Sequence, residues 1–198
     1  MKRIVIATRN KNKKKELKKI LEDLNIKILS IPGLKIHIPR VIEDGKTFRQ
    51  NAIKKALTFS RYVDEIVLAD DSGLEVDALD GRPGIRSSRF ARAKAEDSEN
   101  NAKLLKLMKN VPEEKRGANF VCVAAIARGG NLLDTAEGKC KGSIGFKPKG
   151  KSGFGYDPVF MPKGHQRTFA QLGALVKNKI SHRARALKNA RSILKRYL

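Results

Sequence analysis

The residues that most restrict what this chain can become are Ile66-Val67-Leu68-Ala69 and the four that follow, Asp70-Asp71-Ser72-Gly73. An apolar run led by β-branched residues and only four long is too short for a helix and suits a buried strand. It then breaks into two adjacent carboxylates. In an open α/β sheet, groups at the carboxyl end of a strand stand where ligands bind, so the stretch reads as a strand that delivers acid to a loop. Side chains alternate along extended backbone, so Asp70 and Asp71 point different ways and only one need reach a reacting atom. Asp, Ser and Gly are also turn formers, and a plain solvated turn is the competing reading.

With 198 residues the chain has room for a substantial core, and no shift in composition demands a second domain. No apolar stretch approaches the roughly 20 residues of a membrane-spanning helix. Met1-Lys2-Arg3 leads directly into a strand, which predicts a soluble, cytoplasmic protein without a signal segment. Cys122 and Cys140 fall in strand-like runs, lack metal-ligand spacing and read as small core residues. The formal charge is +23, with nine Lys or Arg against one Glu in residues 1–20, and ten Lys or Arg but no acid after Asp157. Such a balance favours polyanions by long-range attraction, whether nucleotides, nucleic acid or anionic surfaces. The competing reading is a solvated Lys-rich surface, as heat adaptation produces.

In chain order, Lys2 to Ala7 reads as a strand around Ile4-Val5-Ile6, followed by Thr8-Arg9-Asn10-Lys11-Asn12-Lys13 and a helix carrying Leu17, Ile20, Leu21 and Leu24 on one face. A polar loop at a helix N-terminus meets free backbone N–H groups and the positive dipole end, which makes it an anion site. Thr8 and Asn10 add hydrogen-bonding capacity and Lys13 a mobile cation. The plainer alternative is that Asn10 simply caps the helix. Asn25 to Ser30 reads as a strand, Pro32-Gly33 as a loop and Lys35 to Ile38 as extended. Thr47 caps a helix to about Tyr62, with Gln50 completing a capping box and Phe48, Ala52, Ala56 and Phe59 facing the core. Glu43, in the loop before it, is either solvated or a ligand for a hard cation. Ser98 caps a helix through Met108, and Gly129-Gly130-Asn131 joins two strands, Ala118 to Arg128 and Leu132 to Lys141, as a hairpin. That pairing makes the sheet mixed.

Two later stretches carry chemistry. In Gly150 to Pro158, three glycines flank Phe154 and Tyr156, which suits either close approach and stacking on a base or a turn whose aromatics plug the core. Ser181 caps a last helix with Leu187, Ala190 and Leu194 inward, placing His182 and Arg183 in its first turn. A cation is unfavourable beside the positive helix end, so Arg183 there calls for an acceptor.

Together Thr8-x-Asn10-x-x-Lys13, Thr47-Phe48-x-x-Asn51-Ala52-x-x-Lys55-Ala56, Ala69-Asp70-Asp71-Ser72-Gly73-Leu74, Pro83-Gly84, Gly153-Phe154-Gly155-Tyr156-Asp157-Pro158 and Ser181-His182-Arg183 span nearly the whole chain. In that order they resemble the inosine triphosphate pyrophosphatase family. The resemblance implies an α/β fold with a long mixed β-sheet, flanking helices and two lobes around a cleft, as one domain over residues 1–198 and as a homodimer. It also implies Mg²⁺-dependent hydrolysis of ITP, dITP and XTP to the monophosphate and pyrophosphate. Carried onto matching positions, Thr8, Arg9, Asn10, Lys11, Asn12 and Lys13 would bind phosphates, with Lys55 assisting. Asp71 would hold Mg²⁺ and accept a proton, with Glu43 as its metal partner and Asp70 close by. Ser72 would contact substrate, Phe154, Gly155, Tyr156 and Asp157 would form the base-stacking side, and Lys177, His182 and Arg183 would read the purine. The chain departs from the family's pattern at Arg9, Gln50, Arg86, Gln171 and Leu175-Val176. A basic nucleic-acid-binding protein on the same fold and a triphosphatase for modified pyrimidine nucleotides are the alternatives.

Overall fold

A computed structural model describes residues 2–31 and 39–198, so Pro32-Gly33 and the extended piece expected at Lys35 to Ile38 lie outside the described residues. The described elements are β1 (Arg3–Ile6), α1 (Lys11–Ile20), β2 (Lys27–Ser30), α2 (Phe48–Ser60), β3 (Ile66–Val76), α3 (Asp97–Leu107), β4 (Gly117–Arg128), β5 (Asn131–Ile144), β6 (Phe160–Pro162), α4 (Phe169–Ile180) and α5 (His182–Tyr197). The strands form one sheet in the order β2-β1-β3-β4-β5-β6. β1 pairs in parallel with both β2 and β3, and β5 with β6 antiparallel, which makes the sheet mixed as expected. A two-residue turn, Gly129-Gly130 at φ 56° and 80°, joins β4 to β5, the left-handed conformation that a tight hairpin requires and that glycine adopts without strain.

The main departure from expectation is β3. It does not end at Ala69 but continues through Asp70-Asp71-Ser72-Gly73 to Val76, 11 residues in all. β1 pairs only with Ile66, Val67 and Leu68; past them β3 keeps β4 as its other neighbour in the sheet, and both carboxylates have cationic partners, so neither needs the solvent of a loop. Smaller differences have local causes. β2 starts at Lys27 because Asn25 is left-handed (φ 48°). α3 is capped not by Ser98 but by Glu96, reciprocally with Glu99. Thr47 does cap α2, but the Gln50 side chain accepts from the Lys46 N–H instead of closing the box. β6 and α4 escaped the sequence reading, although Thr168 and Gln171 form the capping box that starts α4.

By contacts the chain divides into two compact units. The first comprises Met1–Asp71, Cys122–Gly138 and Arg183–Leu198; its core packs Ile4, Ile6, Ile66 and Leu68 of the strands against Leu17 and Leu21 of the α1 region and Leu187, Ala190 and Leu194 of α5. The second comprises Ser72–Val121 and Lys139–His182, with a core of Leu74, Val76, Leu104, Met108, Phe120, Phe160 and Phe169. Burying each of the Leu, Ile, Val, Phe and Met side chains among them contributes about 1.5–3 kcal/mol. Cys122 and Cys140 are both buried, as small core residues would be.

Candidate active site

Strand alternation separates the two carboxylates of β3, as expected. In the first unit Asp70 is 2% exposed, and its Oδ2 lies 3.1 Å from Lys13 Nζ and 3.2 and 3.1 Å from Nε and Nη2 of Arg183. Arg183 also donates to Glu16 of α1. The acceptor that Arg183 needs at the start of α5 is therefore supplied by the chain's own carboxylates. Asp71 has a different set of partners. Its Oδ2 accepts from Asn51 Nδ2 at 3.1 Å, and its Oδ1 is 3.5 Å from Lys55 Nζ, which also lies 3.3 Å from Glu43 Oε2 and donates to the Asp70 carbonyl at 2.6 Å. Helical spacing explains the set: Phe48, Asn51, Ala52, Lys55, Ala56 and Phe59 share the buried stripe of α2, so an amide and an ammonium ride inward with the apolar residues.

The same burial acts on the two carboxyls with opposite outcomes. For Asp70, burial favours the neutral acid, but Lys13, then Arg183, then Lys55 outweigh it and hold the group far below the usual carboxylate range. For Asp71, burial dominates and pushes the carboxyl up; Lys55 and Lys13 offset this in part, and Glu43 adds to it. Burial also opposes the charge of Lys55, yet Asp71, Asp70 and Glu43 together raise it above its ordinary value. Behind Asp70, burial pushes the Cys122 thiol up to about 12, which leaves it inert.

At the start of α1, Asn10 is a true N-cap. Its Oδ1 accepts from the N–H groups of Asn12 (2.9 Å) and Lys13 (3.1 Å), while Thr8 Oγ1 accepts from the Asn10 N–H. Two of the backbone donors expected to face an anion are thus engaged by the cap, and Lys13 is not mobile but docked on Asp70. Arg9, Asn10, Lys11 and Asn12 are exposed at this helix end.

In the second unit Lys177 is 4% exposed. Its ammonium contacts Asp157 Oδ2 and lies 4.3 Å from the Phe154 ring centroid. Asp157, also buried, accepts the Phe154 N–H at 2.9 Å. A Cβ on Gly153 (φ 84°) would stand 2.1 Å from Asp157 Oδ2, so the loop needs glycine there twice over. Gly155 is tied to α3 through Asn101 Nδ2 to its carbonyl (2.9 Å) and its N–H to Asp97 Oδ2 (2.6 Å). Tyr156 faces the core with its hydroxyl donating to the Ser87 carbonyl, and His182 stacks on Phe120 at 4.6 Å between centroids. Ser72 is half-buried on β3. Asn51, Glu16, Asp97 and Asn101 were missed as site residues. Asn51 was legible as a polar residue on an otherwise apolar helical stripe; the others depend on long-range contacts that leave no local signal.

Among the described residues no three His, Cys, Asp or Glu side chains converge to hold a metal. Glu43 and Asp71 nevertheless bring hard carboxylate oxygens to one shared cation, the Lys55 ammonium. That donor set fits Mg²⁺, which takes one or two carboxylates and completes its shell with water and substrate phosphates.

The Ham1 family model matches residues 4–193. The chain is 50% identical over 197 residues to a dITP/XTP pyrophosphatase of Desulforamulus reducens, covering 98% of this chain and 96% of that protein. It is 46% identical over 201 residues to a dITP/XTP pyrophosphatase of Clostridium perfringens, covering 98% of each. A solved HAM1 protein from Coxiella burnetii matches with a TM-score of 0.88 and 39% identity, covering 99% of this chain and 100% of that one. The Staphylococcus aureus Ham1 protein matches with a TM-score of 0.87 and 37% identity over 100% of each.

Proposed function

This chain belongs to the Ham1 family and is a nucleoside triphosphate pyrophosphatase, and from that premise we propose that it hydrolyses ITP, dITP and XTP to the monophosphate and pyrophosphate with the help of Mg²⁺. The observation that carries the reading is the convergence of Glu43 and Asp71 on Lys55 beside a second, fully neutralised carboxylate. A protein that only binds nucleic acid has no use for buried acid next to its cations.

Glu43 and Asp71 would hold Mg²⁺, and the ion when bound neutralises phosphate charge. Asp71 accepts the proton of the attacking water: oxygen bonds to the α-phosphorus, the bond from that phosphorus to the bridging oxygen breaks, and pyrophosphate leaves with the bridging oxygen. With no ion bound, burial raises this carboxyl, and a bound divalent cation would favour its ionised, proton-accepting form. Lys55 and Lys13 hold the charge that develops on the departing phosphates, with Thr8 to Asn12 at the α1 terminus adding donors. Arg183 keeps Asp70 ionised and Lys13 in place. Within the second unit, the Phe154 ring and the Lys177 ammonium offer the stacking face and the donor that a 6-keto purine suits. The keto group of hypoxanthine or xanthine accepts; the amino group of adenine would leave a buried donor unpaired, which costs about 1–3 kcal/mol.

The test is a panel of nucleoside triphosphates with pyrophosphate and orthophosphate measured separately. Pyrophosphate released from ITP, dITP and XTP well above ATP and above modified pyrimidine nucleotides supports the assignment. Orthophosphate as the product, or equal rates across the panel, overturns it.

A further inference from the structure

We propose that the outward faces of α1 and α5 form a docking surface for a nucleic-acid duplex, gripped through its phosphates and independent of the hydrolytic reading above. These two helices hold twelve Lys or Arg and one acid, Glu16, in 26 residues. Of these basic residues, Lys13 and Arg183 pair with Asp70, Lys14 with Ser30, Lys19 with Glu22 and Arg191 with Asp23. On α1 the exposed basic residues are Lys11, Lys15, Lys18 and Lys19, spaced i, i+4, i+7 and i+8 on a single face. On α5 they are Arg185, Lys188, Lys195 and Arg196, again on one face, interrupted only by Asn189 and Ser192.

The two stripes are neighbours. Arg183 reaches Glu16 near the start of α5, and eight residues later Arg191 reaches Asp23 and the Ile20 carbonyl. Both links advance in the same direction along each helix, so α1 and α5 run side by side, with their apolar faces in the common core. The surface spans about 24 Å along α5 at 1.5 Å per residue, a length over which a duplex presents about fourteen phosphates.

Heat adaptation does not account for the pattern. Ion-pair networks need both signs, whereas like charges at i, i+4 repel and destabilise a helix. A cost borne on two adjacent helices points to an anionic partner that repays it. An anionic membrane fits less well, because interfacial helices insert large apolar side chains. Among the described large exposed apolar residues only Tyr197, the last residue of α5, lies on these helices.

The experiment titrates a labelled 20-base-pair DNA duplex with the full chain between 50 and 200 mM salt. The variants are a quadruple Lys15→Gln, Lys18→Gln, Lys188→Gln, Lys195→Gln and a charge-matched control, Lys106→Gln, Lys109→Gln, Lys147→Gln, Lys163→Gln, on the second unit. If about six cations engage phosphates, the logarithmic salt slope of the wild type is about −5 and that of the α1–α5 variant about −2. The variant should bind at least about a hundredfold more weakly at 50 mM salt while the control stays near wild type, with ITP turnover unchanged in both. Four outcomes overturn the proposal: no duplex binding by the wild type at 50 mM salt; equal weakening in both variants, which makes bulk charge the cause; a parallel fall in kcat/KM for ITP, which makes the face a steering field for substrate; or equally tight binding to phosphatidylserine vesicles.

Discussion

The two faces of β3 receive adjacent carboxylates and treat them in opposite ways. On one face Asp70 is neutralised by Lys13 and Arg183, with Arg183 itself steadied by Glu16; on the other Asp71 has a single amide, Asn51, and an ammonium that it shares with Glu43. Both carboxyls are buried, so desolvation cannot separate them. The number of cations does, and it makes one a structural ion pair and the other a candidate base.

The largest expected effect breaks this comparison on the reactive side. Asp71→Asn keeps the shape and the Asn51 contact but removes the base, so kcat for ITP should fall by on the order of 10³-fold or more. Folding stability should change by less than about 1 kcal/mol, because losing a carboxylate that burial disfavours offsets what Lys55 loses. Retained pyrophosphate release would end the assignment of Asp71 as proton acceptor.

On the other face the balance reverses. Asp70→Asn strands Lys13 and Arg183 at a buried site, and breaking such a network costs about 3–5 kcal/mol. The urea midpoint should drop accordingly. The sign with pH follows from the depressed carboxyl: its contribution is fully present above the unfolded value near 4 and is lost as pH falls through the folded one. The wild type should therefore lose stability in acid along a limb that the variant lacks. A variant as stable as the wild type would show that the cations have other sufficient partners.

How much of this was legible depended on range. β1, the start of α1, the buried stripe of α2 and the β4–β5 hairpin followed from periodicity and turn residues, and the alternation of Asp70 and Asp71 from strand geometry alone. The length of β3 did not, since Asp-Ser-Gly has turn propensity and only the sheet and distant cations override it. Likewise Arg183 announced that it needed an acceptor, but Glu16 and Asp70, 167 and 113 residues away, could not be named from local pattern. The second unit behaves in the same way: the glycines of 150–158 were visible, the anchors Asp97 and Asn101 were not.

A smaller effect tests whether the Phe154 loop is as fixed as the β3 site. Gly153→Ala places a methyl against the Asp157 carboxylate at a φ that side chains rarely adopt, at a cost of about 1–3 kcal/mol. Because the same carboxylate holds Lys177, KM for ITP should rise several-fold and discrimination against ATP should narrow, with kcat less affected. A uniform loss of kcat with unchanged KM would place the loop's role elsewhere.

The smallest effect sharpens the comparison through pH. Asp71 must be ionised to accept a proton, and burial raises its carboxyl while bound Mg²⁺ would favour the ionised form, so kcat/KM should decline toward acid along a limb. Lys55 is the largest influence pulling that carboxyl down. Lys55→Gln should therefore move the limb to higher pH. The same substitution should leave the acid-unfolding limb attributed to Asp70 mainly in place, because Lys13 and Arg183 act on Asp70 more strongly than Lys55 does. Measuring kcat/KM for ITP and the urea midpoint across pH on one Lys55→Gln sample separates the two faces of β3. If both limbs moved together the faces would be one coupled site, and the division of labour between the adjacent carboxylates would fail.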